Sequence, residues 1–211
     1  MQDILKLLYN YAENNSTSQE DILSKIERET HLKTLSPRML SGHVQGQMLT
    51  LISTLKQPKH ILEIGTFTGY SAVCLAKGLQ PAGKVISIEY NPEYASLAHS
   101  LIEDSDYKQK IEIITGDAKE LIPQLNQNFD MVFIDADKES YSQYFDMVLP
   151  KCNSGAVIIA DNVLWSGKVL ETEMDKKTKA LHDFNVKVRQ DPRVDNFILV
   201  FRDGLNFIIK K

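Results

Sequence analysis

Apolar residues in this chain fall first at helical spacing and then into short branched runs separated by polar, glycine-containing breaks. Ile4, Leu5, Leu7 and Leu8 predict a helix over Met1–Ala12. Thr17-Ser18-Gln19-Glu20 has the form of a capping box and predicts a second helix to about His31, with Ile22, Leu23 and Ile26 on one face. Ser36-Pro37-Arg38 breaks it, and residues 39–47 lead into a third, apolar helix through Leu55. From there strands and helices alternate. Ile61, Leu62 and Ile64 make a buried strand, Gly65 to Gly69 a turn, and Tyr70–Leu79 a helix.

Lys84–Glu89 is the next strand, and Asn91-Pro92-Glu93 starts a helix with a cap residue, a first-turn proline and an acid near the positive end. Lys110–Thr115 is a third strand, followed by a capping box in Gly116-Asp117-Ala118-Lys119-Glu120. Phe129–Asp135 is a fourth, with a helix from about Ser140 to Val148, and Ala156–Ala160 is a fifth. A helix over Asp175–Arg189 precedes two strands, Asn196–Arg202 and Leu205–Lys210, parted only by Asp203-Gly204. So short a turn demands a hairpin, which makes the last strand antiparallel. The pattern predicts an α/β fold: a doubly wound, mostly parallel sheet of seven strands, ending in a hairpin and preceded by a helical annex. One domain is expected over 1–211, with 1–57 as a helical cover, or an oligomer contact, and 58–211 as the Rossmann-like core.

Composition narrows the function classes. With 43% apolar and 25% charged residues the chain is an ordinary soluble protein, and a net charge of −4 offers no broad basic surface to nucleic acid. No run is long enough to span a membrane, and the first 30 residues lack the apolar core of a signal sequence. Cys74 and Cys152 read as reduced, packed thiols, and the expected location is cytoplasmic. His31, His43, His60, His99 and His182 form no metal spacing or triad.

The chemistry gathers at strand ends. A glycine turn after the first strand is where open parallel sheets bind nucleotide-like ligands, and an acid about 20 residues on, here Glu89, is placed for ribose hydroxyls. Phe67 stands where a dinucleotide fingerprint has its second glycine, and Glu63 would repel a pyrophosphate but suit a cation. Both favour S-adenosylmethionine, a sulfonium and ammonium compound without phosphate, over a nucleotide-binding oxidoreductase. Asp135, Asp161 and Asn162 close neighbouring strands and offer hard oxygen donors for Mg²⁺, with Ca²⁺ or Mn²⁺ as alternatives. Taken singly, such aspartates usually just cap turns. Lys138 would then be a desolvated base of lowered pKa, although alone it would read as a solvated lysine.

LEIGTFTGYS (62–71), ISIEYNPEYA (86–95), GDA (116–118), FIDADKESY (133–141) and ADNVLWSGKV (160–169) come in an order that resembles the cation-dependent O-methyltransferases. That family includes catechol O-methyltransferase, the plant caffeoyl-coenzyme A enzymes and bacterial relatives; FIDADK and DNVLWSGKV follow the caffeoyl-coenzyme A and bacterial form. The resemblance runs over residues 36–211 and is loose before them. It implies that Glu63, Gly65, Thr66 and Ser71 hold the methionine part of S-adenosylmethionine and Glu89 its ribose. Asp117 and Ala118 would flank the adenine, and Ser41, Asp135 and Asp137 would add contacts. It also implies Asp135, Asp161 and Asn162 as metal ligands, Lys138 as base, Trp165 and Ser166 at the acceptor, and a homodimer. The acceptor expected is a small phenol of catechol or caffeoyl type with two neighbouring oxygens. A hydroxylated uridine in transfer RNA is the alternative, which the acidic net charge weighs against. Retention of every metal and base residue opposes a non-catalytic binding module.

Overall fold

The computed structural model describes residues 2–211. Three helices come first, α1 (Gln2–Asn14), α2 (Asp21–Lys33) and α3 (Gly42–Lys56). The alternating part follows as β1 (His60–Ile64), α4 (Tyr70–Ala76), β2 (Lys84–Glu89), α5 (Pro92–Ile102), β3 (Ile111–Thr115), α6 (Ala118–Leu121) and β4 (Phe129–Ile134). It ends in α7 (Tyr141–Val148), β5 (Cys152–Asp161), α8 (Lys176–Gln190), β6 (Val194–Leu199) and β7 (Leu205–Lys210). The seven strands lie in the order β3-β2-β1-β4-β5-β7-β6, with β7 antiparallel to both neighbours and the other pairs parallel. The order reverses between β1 and β4, which opens a crevice at their carboxyl ends.

Strand alternation sorts the core into two layers. Leu62, Ile64, Ile86, Val132, Ile134 and Ile158 face the side covered by α6, α7 and α8, where Phe129, Phe145 and Phe184 are fully buried. Ile61, Val85, Met131, Phe133 and Ile159 face α2 to α5. Each buried phenylalanine stabilises the fold by roughly 1.5–3 kcal/mol relative to an exposed one. Both cysteines are free and buried, and burial pushes their thiols up to about 12, as packing residues rather than nucleophiles. Among the described residues no helix is long and apolar enough to cross a membrane.

Several local expectations need correction. Thr17–Glu20 is no capping box: Glu20 is the N-cap of α2 without a side-chain cap. Its carboxylate instead accepts from Tyr107 Oη at 2.8 Å and pairs with Lys77 at 3.2 Å, while Gln19 Oε1 accepts from Tyr70 Oη at 2.8 Å. Tertiary partners outbid the local ones, and the segment ties α2 to the core. The final hairpin is antiparallel as expected, but β6 stops at Leu199 and residues 200–204 connect it to β7. Gly204 has φ +86°, and a Cβ there would lie 2.3 Å from Leu164, so the turn is pressed against the loop after β5. Helix α1 forms, but Ile4, Leu7 and Leu8 are exposed; α2 and α3 supply the packing.

Candidate active site

The crevice is a cleft of about 970 Å³ walled by the segment before α3, the β1–α4 turn and the ends of β2, β4 and β5. Ser41, Gly65, Thr66, Ser71, Glu89, Asp117, Ala118, Asp135, Asp137, Lys138, Asp161, Asn162, Trp165 and Ser166 all line it. Glu63 lies beneath that lining, because alternation along β1 turns it to the α4 face with Ile61. A second, wide-open hollow at the far end of α8, by Asp191 and Arg193, gathers none of these groups.

In the β1–α4 turn Gly65 has φ +99°, and a Cβ there would stand 2.0 Å from the Asp135 carbonyl oxygen, so only glycine lets β1 and β4 close up. Phe67 keeps a glycine-like φ of 52°. Its N–H donates to Glu89 Oε2 at 2.7 Å, and the ring meets Tyr94 edge-on with centroids 4.8 Å apart. The N–H of Asn91 donates to the other Glu89 oxygen at 2.9 Å. Each oxygen thus keeps a free lone pair, aimed by backbone rather than by rotamer preference.

Glu63 is fully buried; Ser87 Oγ donates to its Oε2 and is itself 2.6 Å from Thr66 Oγ1. Its Oε1 has no partner. Burial, opposed by the neighbouring Ser71 and Ser87 hydroxyls, raises this carboxyl to about 8. A buried acid with one orphaned oxygen beside a glycine turn fits a cationic amine.

The β4–β5 register ends by pairing Ile134 with Ala160, and Asp135 and Asp161 are the residues that directly follow. Burial, and then repulsion from Asp135, raises Asp161 to about 6, against a hydrogen bond from Gln45. Two carboxylates forced together out of water suit a divalent cation. Among the described residues no three His, Cys, Asp or Glu side chains converge, so the third protein donor would be the Asn162 amide, held in the left-handed region at φ 56°.

Lys138 Nζ donates to Asp135 Oδ1 at 2.8 Å and to Tyr141 Oη at 2.7 Å, with its side chain 11% exposed. Its predicted lowered pKa is not found in the protein alone. Burial does lower it, but the Asp135 carboxylate and the Tyr141 hydroxyl together outweigh burial and hold it above its ordinary value. Asp137 accepts from Ser140 Oγ and caps the turn holding Lys138. Asp117 caps α6 through the Lys119 N–H at 2.8 Å. Trp165 and Ser166 sit at φ 47° and 55°; Asp203 accepts from the Ser166 N–H, and its carbonyl accepts from the Leu164 N–H at 2.9 Å.

The family model of O-methyltransferases matches residues 13–211. The chain belongs to that family. It is an S-adenosylmethionine-dependent O-methyltransferase of the catechol and caffeoyl-coenzyme A type. The chain is 39% identical over 160 residues to a catechol O-methyltransferase of Niastella koreensis, covering 74% of this chain and 72% of that one. It is 30% identical to caffeoyl-CoA O-methyltransferase 5 of Nicotiana tabacum, covering 94% of this chain and 88% of that one. An O-methyltransferase of Bacillus cereus, solved with S-adenosylhomocysteine, superimposes at a TM-score of 0.91 with 30% identity, covering 96% of both chains. The family match begins at residue 13, well before the motifs that carry the likeness at sequence level.

Three residues packed at this candidate site carry no clear mark in the sequence pattern. Tyr141 is fully buried, and its hydroxyl proton is shared between the carbonyls of Asp161 at 3.0 Å and Ile134 at 3.2 Å. Its spacing of three from Lys138 was the available signal. Gln45, which donates to Asp161, and Arg202, which donates to Gln45, gave none.

Proposed function

We propose that this methyltransferase methylates one of two neighbouring oxygens on a catechol or caffeoyl-like phenol, with a divalent cation held by Asp135, Asp161 and Asn162. The observation that carries this reading is that Asp135 and Asp161 directly follow the paired Ile134 and Ala160, with Lys138 Nζ 2.8 Å from Asp135. A bound Mg²⁺, Mn²⁺ or Ca²⁺ would act as a Lewis acid, drawing two substrate oxygens together and lowering the pKa of the one that reacts. S-adenosylmethionine supplies the methyl group on a positively charged sulfur.

The chain's own residues do the rest. Glu63, with its unpartnered Oε1, takes the amino group of the methionine part, and Ser71 and the Gly65–Thr66 backbone border it. Glu89 turns its two free lone pairs to the ribose hydroxyls. Ser41, Asp117, Ala118 and Asp137 close around the cofactor. Lys138 takes the phenolic proton at Nζ; for that it must be the neutral amine, so the Asp135 charge that now holds its proton has to be engaged elsewhere. Tyr141 fixes Nζ by accepting from it while bridging the ends of β4 and β5. Trp165 and Ser166, pinned by the 200–204 turn, wall the acceptor and exclude water.

The test is transfer of a labelled methyl group to catechol, a caffeoyl thioester, their single-hydroxyl analogues and undermodified transfer RNA, each with and without a chelator. Methylation of the vicinal diols alone, abolished by the chelator and restored by Mg²⁺, is the expected result. Equal rates on diol and single hydroxyl, or full activity in chelator, would overturn the chelating mechanism. Exclusive methylation of the RNA would overturn the phenol.

A further inference from the structure

The first helix turn of α3 reaches across the cleft into the proposed cation site. Gln45 is 1% exposed, and its Nε2 donates to Asp161 Oδ2 at 2.5 Å. Its Oε1 accepts from Arg202 Nη1 at 2.9 Å. The same guanidinium donates from Nη1 to the Ser41 carbonyl and from Nη2 to the Leu40 carbonyl at 3.5 Å. The other Asp161 oxygen, Oδ1, accepts from the Asn162 N–H at 2.6 Å.

This order of donors and acceptors has one consistent direction. A guanidinium has only N–H donors and an ionised carboxylate only acceptors, so an amide between them must turn its oxygen to Arg202 and its nitrogen to Asp161. Both Asp161 oxygens are then engaged by one donor each, its plane is set, and the remaining lone pairs are left toward the cleft. Gln45 is neutral, so it orients the carboxylate without cancelling its charge, as a lysine there would. The relay also crosses three separate segments: the annex at Leu40–Gln45, the end of β5 at Asp161, and the 200–204 turn. It can exist only while the annex is seated on the core.

We propose that Gln45 and Arg202 are positioning residues for the cation: they hold Asp161 in its ligating orientation and so couple cation binding to seating of the Leu40–Gln45 segment. This rests on the reading that Asp161 is a cation ligand. Coupling of this kind is reciprocal, so the cation should in turn tighten the segment that carries Ser41 at the cofactor cleft.

The experiment is a Mn²⁺ titration of the full chain, without cofactor or acceptor, followed by the electron paramagnetic resonance of free Mn²⁺. Gln45→Met keeps the length of the side chain and removes its donor. Its Mn²⁺ affinity should fall about 10- to 100-fold, the usual cost of losing a partner that orients a metal ligand. Arg202→Met, a change at an exposed position that removes the donor to Gln45 Oε1, should weaken Mn²⁺ in the same direction. Because the two act in series, the double variant should be no weaker than Gln45→Met alone; additive losses would overturn the relay. Amide hydrogen exchange at residues 40–47 should slow when Mn²⁺ is added to the parent protein and not when it is added to the variants. If Asp161→Ala loses Mn²⁺ while Gln45→Met and Arg202→Met bind it normally, the relay is wrong and the cation site stands. If the parent protein binds no Mn²⁺, or Asp161→Ala binds it unchanged, the cation reading falls and the relay with it.

Discussion

Lys138 Nζ rests 2.8 Å from Asp135 Oδ1, so the side chain that would take the proton and one that would hold the cation are a contact pair. With its side chain only 11% exposed, the lysine is an ammonium as long as it answers that carboxylate, because the acid and Tyr141 outweigh the effect of burial. The two residues therefore cannot act independently, and loss of the base should fail differently from loss of a proposed cation donor.

Lys138→Met should lose about 10²–10⁴-fold in turnover, the usual cost of removing a general base. Added Mg²⁺ should not help, but the rate should climb with pH as the phenol loses its proton unaided. Asp161→Ala should also drop steeply, and there excess Mg²⁺ or Mn²⁺ should restore part of the rate. Turnover measured against pH and metal concentration for both variants separates the roles. A Lys138→Met enzyme with near-normal turnover at neutral pH would show that the lysine is only an ion-pair partner.

Glu63 makes cofactor binding depend on pH. Its folded value of about 8 lies above the ordinary 4.5, since burial disfavours its charged form. The folded chain therefore keeps a proton that the unfolded chain releases, and cofactor-free stability should fall as pH rises from about 4.5 to 8. A cationic amine against Oε1 favours the carboxylate, so binding at pH 7 should expel up to one proton and affinity should rise toward pH 8. Calorimetry in buffers of different ionisation enthalpy counts that proton. Glu63→Gln should bind more weakly, with no proton released, and should lose the fall in stability.

Features that one segment decides by itself are legible in the sequence. The branched run of β1, the Asn91 cap, which accepts from the Glu93 N–H at 2.8 Å, and the acid closing β2 are local features, and all lie where periodicity and spacing put them. Asp135 and Asp161 were legible because parallel strands in register bring their ends together. What is not legible depends on partners far along the chain. Gln45 meets Asp161 across 116 positions and Arg202 meets Gln45 across 157, and no periodicity encodes either. Glu20 left a capping role for Tyr107, 87 positions away. Lys138 stands above its ordinary value in the protein alone because Asp135 and Tyr141 outweigh burial, and no spacing in the sequence gives the strength of those partners.

Glu89 holds the β1–α4 turn as well as the proposed ribose. Its oxygens take the N–H groups of Phe67 and Asn91, so Glu89→Ala removes two backbone anchors along with the ligand contacts. S-adenosylmethionine affinity should fall by about 1–3 kcal/mol, typical of charge-assisted hydrogen bonds lost from a part-buried site. Glu89→Gln should recover the Phe67 or the Asn91 anchor, not both, and fall between. Calorimetric titration of the three proteins decides it; unchanged affinity in Glu89→Ala would put the ribose elsewhere.

Tyr141 offers the sharpest separation of positioning from folding. Its ring is packed edge-on against Phe184, centroids 5.5 Å apart, and Tyr141→Phe would leave that contact in place. What goes is the hydroxyl, which accepts from Lys138 and donates toward the carbonyls of Ile134 and Asp161. Those carbonyls close β4 and β5, so the change should cost about 1–3 kcal/mol of stability, the usual penalty for a buried group left unpaired. Lys138 loses one of the two partners that hold its proton and becomes easier to deprotonate, because the hydroxyl now contributes to its raised pKa. The rate profile of Tyr141→Phe should therefore shift to lower pH even as maximal turnover falls, with KM for the cofactor unchanged. Chemical denaturation gives the stability change and a pH-rate profile the shift. A variant that loses stability but keeps the parent profile would confine Tyr141 to joining the two strands.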